Sequence, residues 1–244
     1  MKGFGTSDKG KVRKENQDSY QIRIAEDGCC AVAVVCDGMG GALAGSTASA
    51  MAVDSFMTHT AACLENGGSD EPLEEILRDA VKYANIKVYD RSYMDFGCMG
   101  MGTTLVGVIV RGDACLVANV GDSRLYHIGK GTINQITTDH SLVEHLIRSG
   151  QITREAGKNH PQKNIITRAL GVEQTVQMDI FSVDFKPDDI LLLCTDGLSN
   201  LVSDDELLAE LGSPDDCGAA CTRLLQLALE RGAGDNVTLA VLVR

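Results

Sequence analysis

Short runs of β-branched and other apolar residues recur along this chain, with turn sequences of hairpin length between consecutive runs. Asp27-Gly28, Arg111-Gly112-Asp113 and Gly129-Lys130-Gly131 are three such turns, so the strands on either side of each are expected to pair antiparallel. A chain with this pattern should form mainly antiparallel sheets. The predicted strands are residues 20–25, 31–36, 103–111, 113–120, 124–128, 132–137, 176–183, 190–195 and 236–243.

Helices are indicated on both sides of this strand-rich centre. After Pro72 the apolar residues follow the i, i+3, i+4 spacing of an amphipathic helix. Segregated strands and helices favour a single α+β layered domain over residues 1–244, without repeats or linkers. The predicted helices follow Gly45, run from Pro72 to about Tyr93, begin at the capping box of Ser203 and Glu206, and run from Ser213 and Pro214 to Gly232.

Charge and cysteine content narrow the function. With 22 basic and 34 acidic residues the formal net charge is −12, which argues against binding nucleic acid through its phosphates. An acidic chain would also repel anionic substrates unless its carboxylates hold cations. Nine cysteines without a Cys-x-x-Cys pair argue against a disulfide or zinc scaffold and favour a reducing cytoplasm. Neither a signal peptide nor a membrane span is expected.

Five aspartates lie where a predicted strand meets a turn. Ordinary Asp-Gly turn chemistry explains any one of them. Together they suggest more, because strand ends at one edge of a layered sheet converge, and converging carboxylates cannot all stay ionised without cations. Oxygen ligands without nearby His or Cys select Mg²⁺ or Mn²⁺ over zinc. The five are Asp18, Asp37, Asp122, Asp196 and Asp235.

Eight short motifs, spread over about residues 4–242, resemble the metal-dependent protein phosphatases of the PP2C type in their short bacterial form. Each motif alone is weakly specific, but all eight in the family's order are strongly so. The resemblance implies a four-layer αββα sandwich, with two antiparallel sheets face to face and helices outside. The motifs are Arg13-x-x-Asn16-x-Asp18, Asp37-Gly38-Met39-Gly40-Gly41, Gly102-Thr103-Thr104, Val120-Gly121-Asp122-Ser123-Arg124, Thr138-x-His140, Thr167-Arg168-Ala169-Leu170-Gly171, Thr195-Asp196-Gly197-Leu198 and Gly234-x-Asn236.

The resemblance implies a role for each aspartate of the metal site. Asp37 would bridge two metal ions, with the carbonyl of Gly38 on the first ion. Asp196 and Asp235 would hold the second ion. Asp122, together with Asp196, would hold a third and weaker ion. The implied cofactors are two to three Mn²⁺ or Mg²⁺ ions per chain.

The resemblance also implies the reaction. Arg13 would clamp the phosphate, since a guanidinium fork matches two phosphate oxygens, and Asp18 would act through metal-bound waters. Hydrolysis would be an in-line attack by a hydroxide that bridges the metals. Phosphate monoesters are among the slowest bonds to hydrolyse in water, so charge neutralisation by metal ions suits this reaction.

Three positions depart from the family pattern. Met39 stands where many eukaryotic members carry a His proposed as general acid, which leaves that role to a metal-bound water or unfilled. Gln17 and Ser46 each stand where a Glu is common. None of the three is a metal ligand, so an active enzyme is expected.

Residues 141–164 contain a predicted helical insert, with Gly150 and Gly157 as breaks. This insert matches the family's flap beside the third metal. A surface helical hairpin without a role in recognition explains the same pattern equally well. His140 and His160 could be ligands or bases, and structural roles are preferred for both.

Three other interpretations compete. A dinucleotide-binding loop at residues 38–45 lacks its third glycine, since Leu43 stands there. Cys217 and Arg223 have the Cys-x5-Arg spacing of thiol phosphatases, but an apolar stripe places both inside a helix, whose amides cannot cradle phosphate. A regulatory phosphoprotein-binding module with the PP2C fold is the third, and the intact aspartates argue against it.

The sequence therefore predicts a metal-dependent phosphoserine and phosphothreonine protein phosphatase, cytoplasmic and monomeric. Its expected partners are phosphorylated proteins, including a cognate Ser/Thr protein kinase whose signalling it reverses. Neither nucleic acid nor a membrane is expected as a partner.

Overall fold

The computed structural model of the chain describes residues 1–41, 44–65, 72–212 and 216–244. In these ranges the strands are β1 (Lys2–Asp8), β2 (Asp18–Ile24), β3 (Cys30–Met39), β4 (Gly102–Thr103), β5 (Leu105–Arg111), β6 (Ala114–Val120), β7 (Arg124–Gly129), β8 (Thr132–Gln135), β9 (Asp179–Ser182), β10 (Ile190–Cys194) and β11 (Val237–Val243). The helices are α1 (Ala44–Glu65), α2 (Leu73–Met94), α3 (Leu142–Arg148), α4 (Arg154–Lys158), α5 (Asp196–Ser199), α6 (Asp204–Leu211) and α7 (Cys217–Glu230), and a single 3-10 turn covers Phe96–Cys98.

The strands form two sheets. The first has the order β1-β11-β10-β7-β8, and the second has the order β2-β3-β5-β6-β9 with β4 paired to β3. Adjacent strands pair antiparallel throughout both sheets as described. The three predicted turns connect β2 to β3, β5 to β6 and β7 to β8, so the prediction of antiparallel hairpins is confirmed.

Three apolar layers hold these elements in a four-layer αββα sandwich. Helices α1 and α2 cover the second sheet with side chains such as Phe56 and Leu77. Helices α6 and α7 cover the first sheet with side chains such as Leu207 and Leu224. A separate layer that includes Leu193 fills the space between the two sheets. The fold class expected from the sequence is confirmed.

Strand β3 is apolar from Ala31 to Cys36 because both of its faces are buried there. Successive side chains point to opposite faces of a sheet. Val34 and Cys36 therefore pack under the helices, whereas Ala33 and Val35 pack between the two sheets. Because both faces are buried, the strand needs no polar alternation.

Strand β1 was not predicted from the sequence. It contains Gly3 and Gly5 and no run of β-branched residues, so its intrinsic strand signal is weak. A Cβ on Gly5 would lie 2.3 Å from the ring of Tyr20, and one on Gly3 would lie 2.7 Å from Ile22. The glycines that hide this strand in the sequence therefore let it pack closely against side chains of β2.

Two local predictions were wrong in extent or role. The strand predicted at residues 176–183 is limited to β9. Gly157, expected as a break, lies buried inside α4, where a Cβ would be 2.9 Å from both Val143 and Ile147 of α3. Its missing side chain therefore allows the two helices of residues 141–164 to pack together.

Some predicted features lie outside the described residues, namely Leu43 and the helix start at Ser213 and Pro214. Helix α7 begins shortly after them and ends near Gly232, in line with the prediction. Within the described ranges, no helix combines the length and the apolar character needed to cross a membrane.

The short helix α5 follows β10 and packs directly on the chain that leads into β11. A Cβ on Gly197 would lie 1.8 Å from the carbonyl oxygen of Asn236. A backbone atom cannot move aside as a flexible side chain can. Gly197 therefore fixes the position of α5, and with it the position of Asp196.

Replacing Gly197 with Ala should lower the free energy of unfolding by about 1–3 kcal/mol, because the added methyl overpacks a rigid contact. Denaturant unfolding at fixed pH measures this change. Gly234→Ala is the matched control, since nothing lies within 4 Å of its Cβ position. Equal stability of the two variants would contradict the close contact at Gly197.

Candidate metal centre and active site

Two predicted site carboxylates face each other across neighbouring strands. Asp18 of β2 is the direct partner of Asp37 of β3 in the antiparallel ladder. The N–H of Gly38 donates to the carbonyl oxygen of Gln17 at 3.0 Å. Asp18 and Asp37 are therefore a non-hydrogen-bonded pair, the type in which the side chains lie closer together.

The first sheet contributes two more carboxylates. Asp196 comes just after β10 and Asp235 just before β11, and these strands are antiparallel neighbours. The N–H of Thr195 donates to the carbonyl oxygen of Thr238 at 3.0 Å, so the pairing continues past the end of β10. Thr195 Oγ1 donates to Asp18 Oδ2 at 2.9 Å. This bond joins the strand ends of the two sheets at one edge of the sandwich.

Asp122 is supplied by the turn after β6. Gly121 has a φ of +108°, and its N–H donates to His140 Nδ1 at 3.1 Å. The N–H of His140 in turn donates to the carbonyl oxygen of Gly121 at 2.9 Å. Since Nδ1 accepts, Nε2–H is the donor to Asp179 at 3.1 Å, and burial lowers the pKa of His140. His140 is thus a neutral residue that holds the turn, the structural role that was preferred.

Thr104 connects this turn to Asp37 and was quoted in a motif without a predicted role. Its hydroxyl accepts the N–H of Asp37 at 2.9 Å, and its N–H donates to the carbonyl oxygen of Asp37 at 2.9 Å. The same hydroxyl is 2.7 Å from the hydroxyl of Ser123. Thr104 therefore links the backbone of Asp37 to the side chain of Ser123, the residue after Asp122.

Burial makes these carboxylates difficult to ionise together. Desolvation, augmented by repulsion between the carboxylates, raises the pKa of Asp18 to about 7, of Asp122 to about 8 and of Asp196 to about 6. Desolvation and then the charge of Asp18 raise the pKa of Asp37 well above its usual range. Oδ1 of Asp18 and Oδ1 of Asp196 are buried without a hydrogen-bond partner among the described residues. Such oxygens need a proton or a cation.

The donor set suits a hard divalent cation. The side chains brought together offer carboxylate oxygens, the donors that Mg²⁺ and Mn²⁺ prefer. Across the described part of the chain, no three His, Cys, Asp or Glu side chains form a compact cation-binding cluster. Ions of this type often take only one or two carboxylates and keep several waters. The residues therefore fit hydrated divalent ions better than a closed protein cage.

Gly38 presents its carbonyl at the same place. In a regular ladder the N–H of Gln17 would face this carbonyl. That N–H instead donates to Asn236 Oδ1 at 2.8 Å. The backbone here departs from ordinary pairing in a way that suits the carbonyl as a ligand.

Arg13 and Asp235, for which the resemblance implies separate roles, contact each other. Arg13 Nη2 lies 2.8 Å from Asp235 Oδ2, and the side chains are 52% and 34% exposed. An ion pair this exposed contributes little stability. The structure therefore places a guanidinium at the rim of the carboxylate group, where it can reach a bound anion.

A cleft of about 820 Å³ opens beside Asp122 and Asp196. One wall is formed by residues of α3 and α4, including Glu144 and Lys158, and the other by the start of α6 at Asp204. The insert at residues 141–164 thus borders the site, as its match to the flap implies. The cleft is lined by side chains of both signs of charge.

Two rival interpretations are excluded by the structure. Cys217 lies buried in α7, and Arg223 of the same helix is paired with Glu210 and Asp216. A helix cannot offer the amide cradle that a thiol phosphatase needs. For the dinucleotide loop, β3 pairs antiparallel with both β2 and β5, whereas such a loop requires a parallel βαβ unit.

Comparison with known proteins points to one family. The protein phosphatase 2C family profile matches residues 8–223. Serine/threonine phosphatase stp of Listeria welshimeri serovar 6b is 40% identical over 244 residues, which covers 98% of this chain and 94% of that protein. A crystal structure of a bacterial serine phosphatase has a TM-score of 0.90 and 37% identity and covers 99% of this chain and 96% of its own. The catalytic domain of serine threonine protein phosphatase PstP, in complex with two manganese ions, has a TM-score of 0.83 and 31% identity, covering 98% of this chain and 96% of its own.

The metal-free protein should lose stability as the pH rises from about 5 to about 8. At pH 5 the folded protein still holds protons on Asp18, Asp122 and Asp196 and releases them only as the pH passes about 6 to 8, whereas an unfolded carboxyl with a pKa of about 4 has already released its proton. The folded state binds more protons, so stability falls as pH rises. The lowered pKa of His140 has the opposite effect on stability. It is a single group, whereas several carboxyl groups have raised pKa values. Thermal unfolding in EDTA across this range measures the slope.

Mn²⁺ should remove most of this dependence, because a bound cation favours the ionised carboxylates. Asp122→Asn should flatten the slope in EDTA by removing one titrating group. A melting temperature in EDTA that increases from pH 5 to pH 8 would contradict the raised pKa values.

Proposed function

Because this chain belongs to the protein phosphatase 2C family and is a protein serine/threonine phosphatase, we propose that it removes phosphate from phosphoserine and phosphothreonine with the aid of two to three divalent metal ions. The observation that carries this proposal is the burial of several carboxylates at one edge of the sandwich, with two of their oxygens unpartnered among the described residues. Buried like charges are costly and persist where they have a function.

Four aspartates and one carbonyl would hold the ions. Asp37 would bridge two of them, with the Gly38 carbonyl on the first and with Asp196 and Asp235 on the second. Asp122 would share a third ion with Asp196. The manganese ions of the related PstP catalytic domain support Mn²⁺ as one effective ion, and the oxygen ligands suit Mg²⁺ equally. When bound, these ions would supply positive charge and would lower the pKa of a water so that it could act as a nucleophile at neutral pH.

Arg13 and Asp18 would have separate roles, one on the phosphate and one on the waters of the site. Arg13 would leave its exposed pair with Asp235 to bind two phosphate oxygens, since its planar fork matches an anion of that shape. Asp18 would orient the waters of the site through Oδ1, the oxygen that has no other partner in the described structure. Met39 has no proton to give, so this chain offers no side-chain acid for the leaving group at that position.

Substrates would be phosphorylated proteins that lie in the cleft beside Asp122 and Asp196. Residues 141–164, as one wall of this cleft, would act as the flap of a single domain covering residues 1–244. A cognate Ser/Thr protein kinase is proposed as one partner whose signalling the enzyme reverses. Cys36, Cys115 and Cys194 are buried free thiols, which suits a reducing cytoplasm. The enzyme is proposed to act as a monomer.

Replacing Asp37 with Asn should reduce hydrolysis of a phosphothreonine peptide by about 1,000-fold or more, because the bridging charge is lost. Wild-type turnover should require Mn²⁺ or Mg²⁺ and should stop in EDTA. The variant should be at least as stable as wild type in EDTA, since it relieves repulsion with Asp18, but Mn²⁺ should no longer raise its melting temperature.

Asp113→Asn, at an exposed position far from the carboxylates, is the matched control and should keep wild-type rates. Near-normal turnover of Asp37→Asn would refute the two-metal assignment. A folded wild-type chain that binds Mn²⁺ without turnover would favour the regulatory module.

Replacing Arg13 with Ala should raise KM for the phosphopeptide by about 10-fold, the usual size of one lost charge-assisted hydrogen bond, and should lower kcat less. Arg13→Lys keeps the charge without the fork and should recover only part of the loss. Because Arg13 also contacts Asp235, the Mn²⁺ concentration for half-maximal activity should be measured for both variants. A change confined to that value, with KM for the peptide unaltered, would contradict phosphate binding by Arg13.

A further inference from the structure

The carboxylate of Asp18 is held from behind by two threonines of the opposite sheet. Thr195 and Thr238 are fully buried, with no exposed surface. The hydroxyl of Thr195 lies 2.9 Å from Asp18 Oδ2, and the hydroxyls of Thr195 and Thr238 both act to lower the pKa of Asp18. Thr195 and Asp18 are 177 positions apart in the chain.

The direction of the Thr195 bond is fixed by its other partner. The N–H of Thr238 donates to Thr195 Oγ1 at 3.1 Å. A hydroxyl has one proton to give, and the other acceptor that the described residues offer it, the carbonyl of Thr238, is more distant, at 3.5 Å. Thr195 therefore donates to Asp18.

A chain of polar groups orients Thr238 in the same sense. The amide nitrogen of Asn16 can only donate, and this Nδ2 is 2.7 Å from Ser7 Oγ. Ser7 Oγ is 2.7 Å from Thr238 Oγ1. Because Ser7 accepts from Asn16, it can give its own proton to Thr238, which leaves the proton of Thr238 available to Asp18. Asn16 also bonds to Asp18 directly, because its Oδ1 accepts the N–H of Asp18 at 3.1 Å.

These bonds distinguish the two oxygens of Asp18. Oδ2 is occupied by Thr195, whereas Oδ1 is buried without a partner in the described structure. A carboxylate anchored by one oxygen cannot rotate to exchange its two oxygens without breaking that bond. Groups that anchor a ligand in this way commonly change metal affinity or activity by 10- to 100-fold when removed.

We propose that Thr195 and Thr238, with Ser7 and Asn16 behind Thr238, are positioning residues that fix Asp18 so that one oxygen faces the metal site. They touch neither substrate nor the reacting atoms. The inference rests on the proposed function, because it assumes that the carboxylates of the site bind divalent ions.

Mn²⁺ binding to the full chain, measured by isothermal titration calorimetry, tests this role without relying on activity. Thr195→Val should weaken Mn²⁺ binding by about 10- to 100-fold, and Thr195→Ser, which keeps the hydroxyl, should restore it. Turnover of a phosphothreonine peptide should show the same loss in its Mn²⁺ dependence, with a smaller change in KM for the peptide at saturating Mn²⁺.

Thr60→Val is the matched control. Thr60 is also fully buried, but its hydroxyl bonds only to the backbone of α1, at Phe56 and Met57. This variant should lose stability and bind Mn²⁺ as wild type does. If Thr195→Val does not fold, Ser7→Ala interrupts the chain behind Thr238 on the edge strand β1 and should weaken Mn²⁺ binding in the same direction.

The outcomes distinguish a failure of the positioning role from a failure of the proposed function. Wild-type affinity in both Thr195→Val and Ser7→Ala, or an equal loss in Thr60→Val, would overturn the positioning role while leaving metal-dependent phosphatase activity intact. A wild-type chain that binds no Mn²⁺ would overturn the proposed function and the positioning role with it.

Discussion

The two sheets hold several carboxylates close together at one edge of the sandwich, although their like charges repel. Strands of both sheets end at one edge of the sandwich, and an aspartate stands at or near each of those ends. The apolar layer between the sheets and the direct pairing of Asp18 with Asp37 prevent the carboxylates from separating. Moving them apart would require the sheets to slide, which would expose that layer to water. The fold therefore supplies the energy that keeps the anions together, and cations are the natural way to relieve their repulsion.

Hairpins and helices were predictable because their signals are local. The turn sequences join the strands they were expected to join, and the apolar stripe after Pro72 forms α2, which ends within one residue of its predicted end. Strand β1 was not predictable, because its glycines make sense only against side chains of β2, and nothing near them in the sequence indicates that contact. Gly157 was misjudged for the same reason, since its role is a helix contact within the insert rather than a break.

The positions of the site aspartates could be anticipated from strand ends, but their partners could not. Arg13 and Asp235 are 222 residues apart in sequence, and Thr195 and Asp18 are 177 apart. Such contacts depend on the order of strands within a sheet and on how the two sheets face each other, and periodicity carries information on neither. Thr195 and Asn16 were visible as members of motifs. Their physical purpose becomes visible only when β1, β2, β10 and β11 are brought to one edge.

The partners of acidic side chains differ between the site and the rest of the molecule. Asp139 is bound by the guanidinium of Arg124 at 2.7 Å, an opposite charge that completes a structural pair. Asp18 is instead held by hydroxyl groups, which fix its orientation and leave its negative charge uncancelled. A neighbouring Arg or Lys would have satisfied the carboxylate and removed its attraction for a metal ion. Arg13, the cation that contacts Asp235, is half-exposed, where the pair is weak enough to exchange. Holding carboxylates with neutral donors thus keeps the site anionic for cations, and the cations in turn make an acidic protein attractive to phosphate.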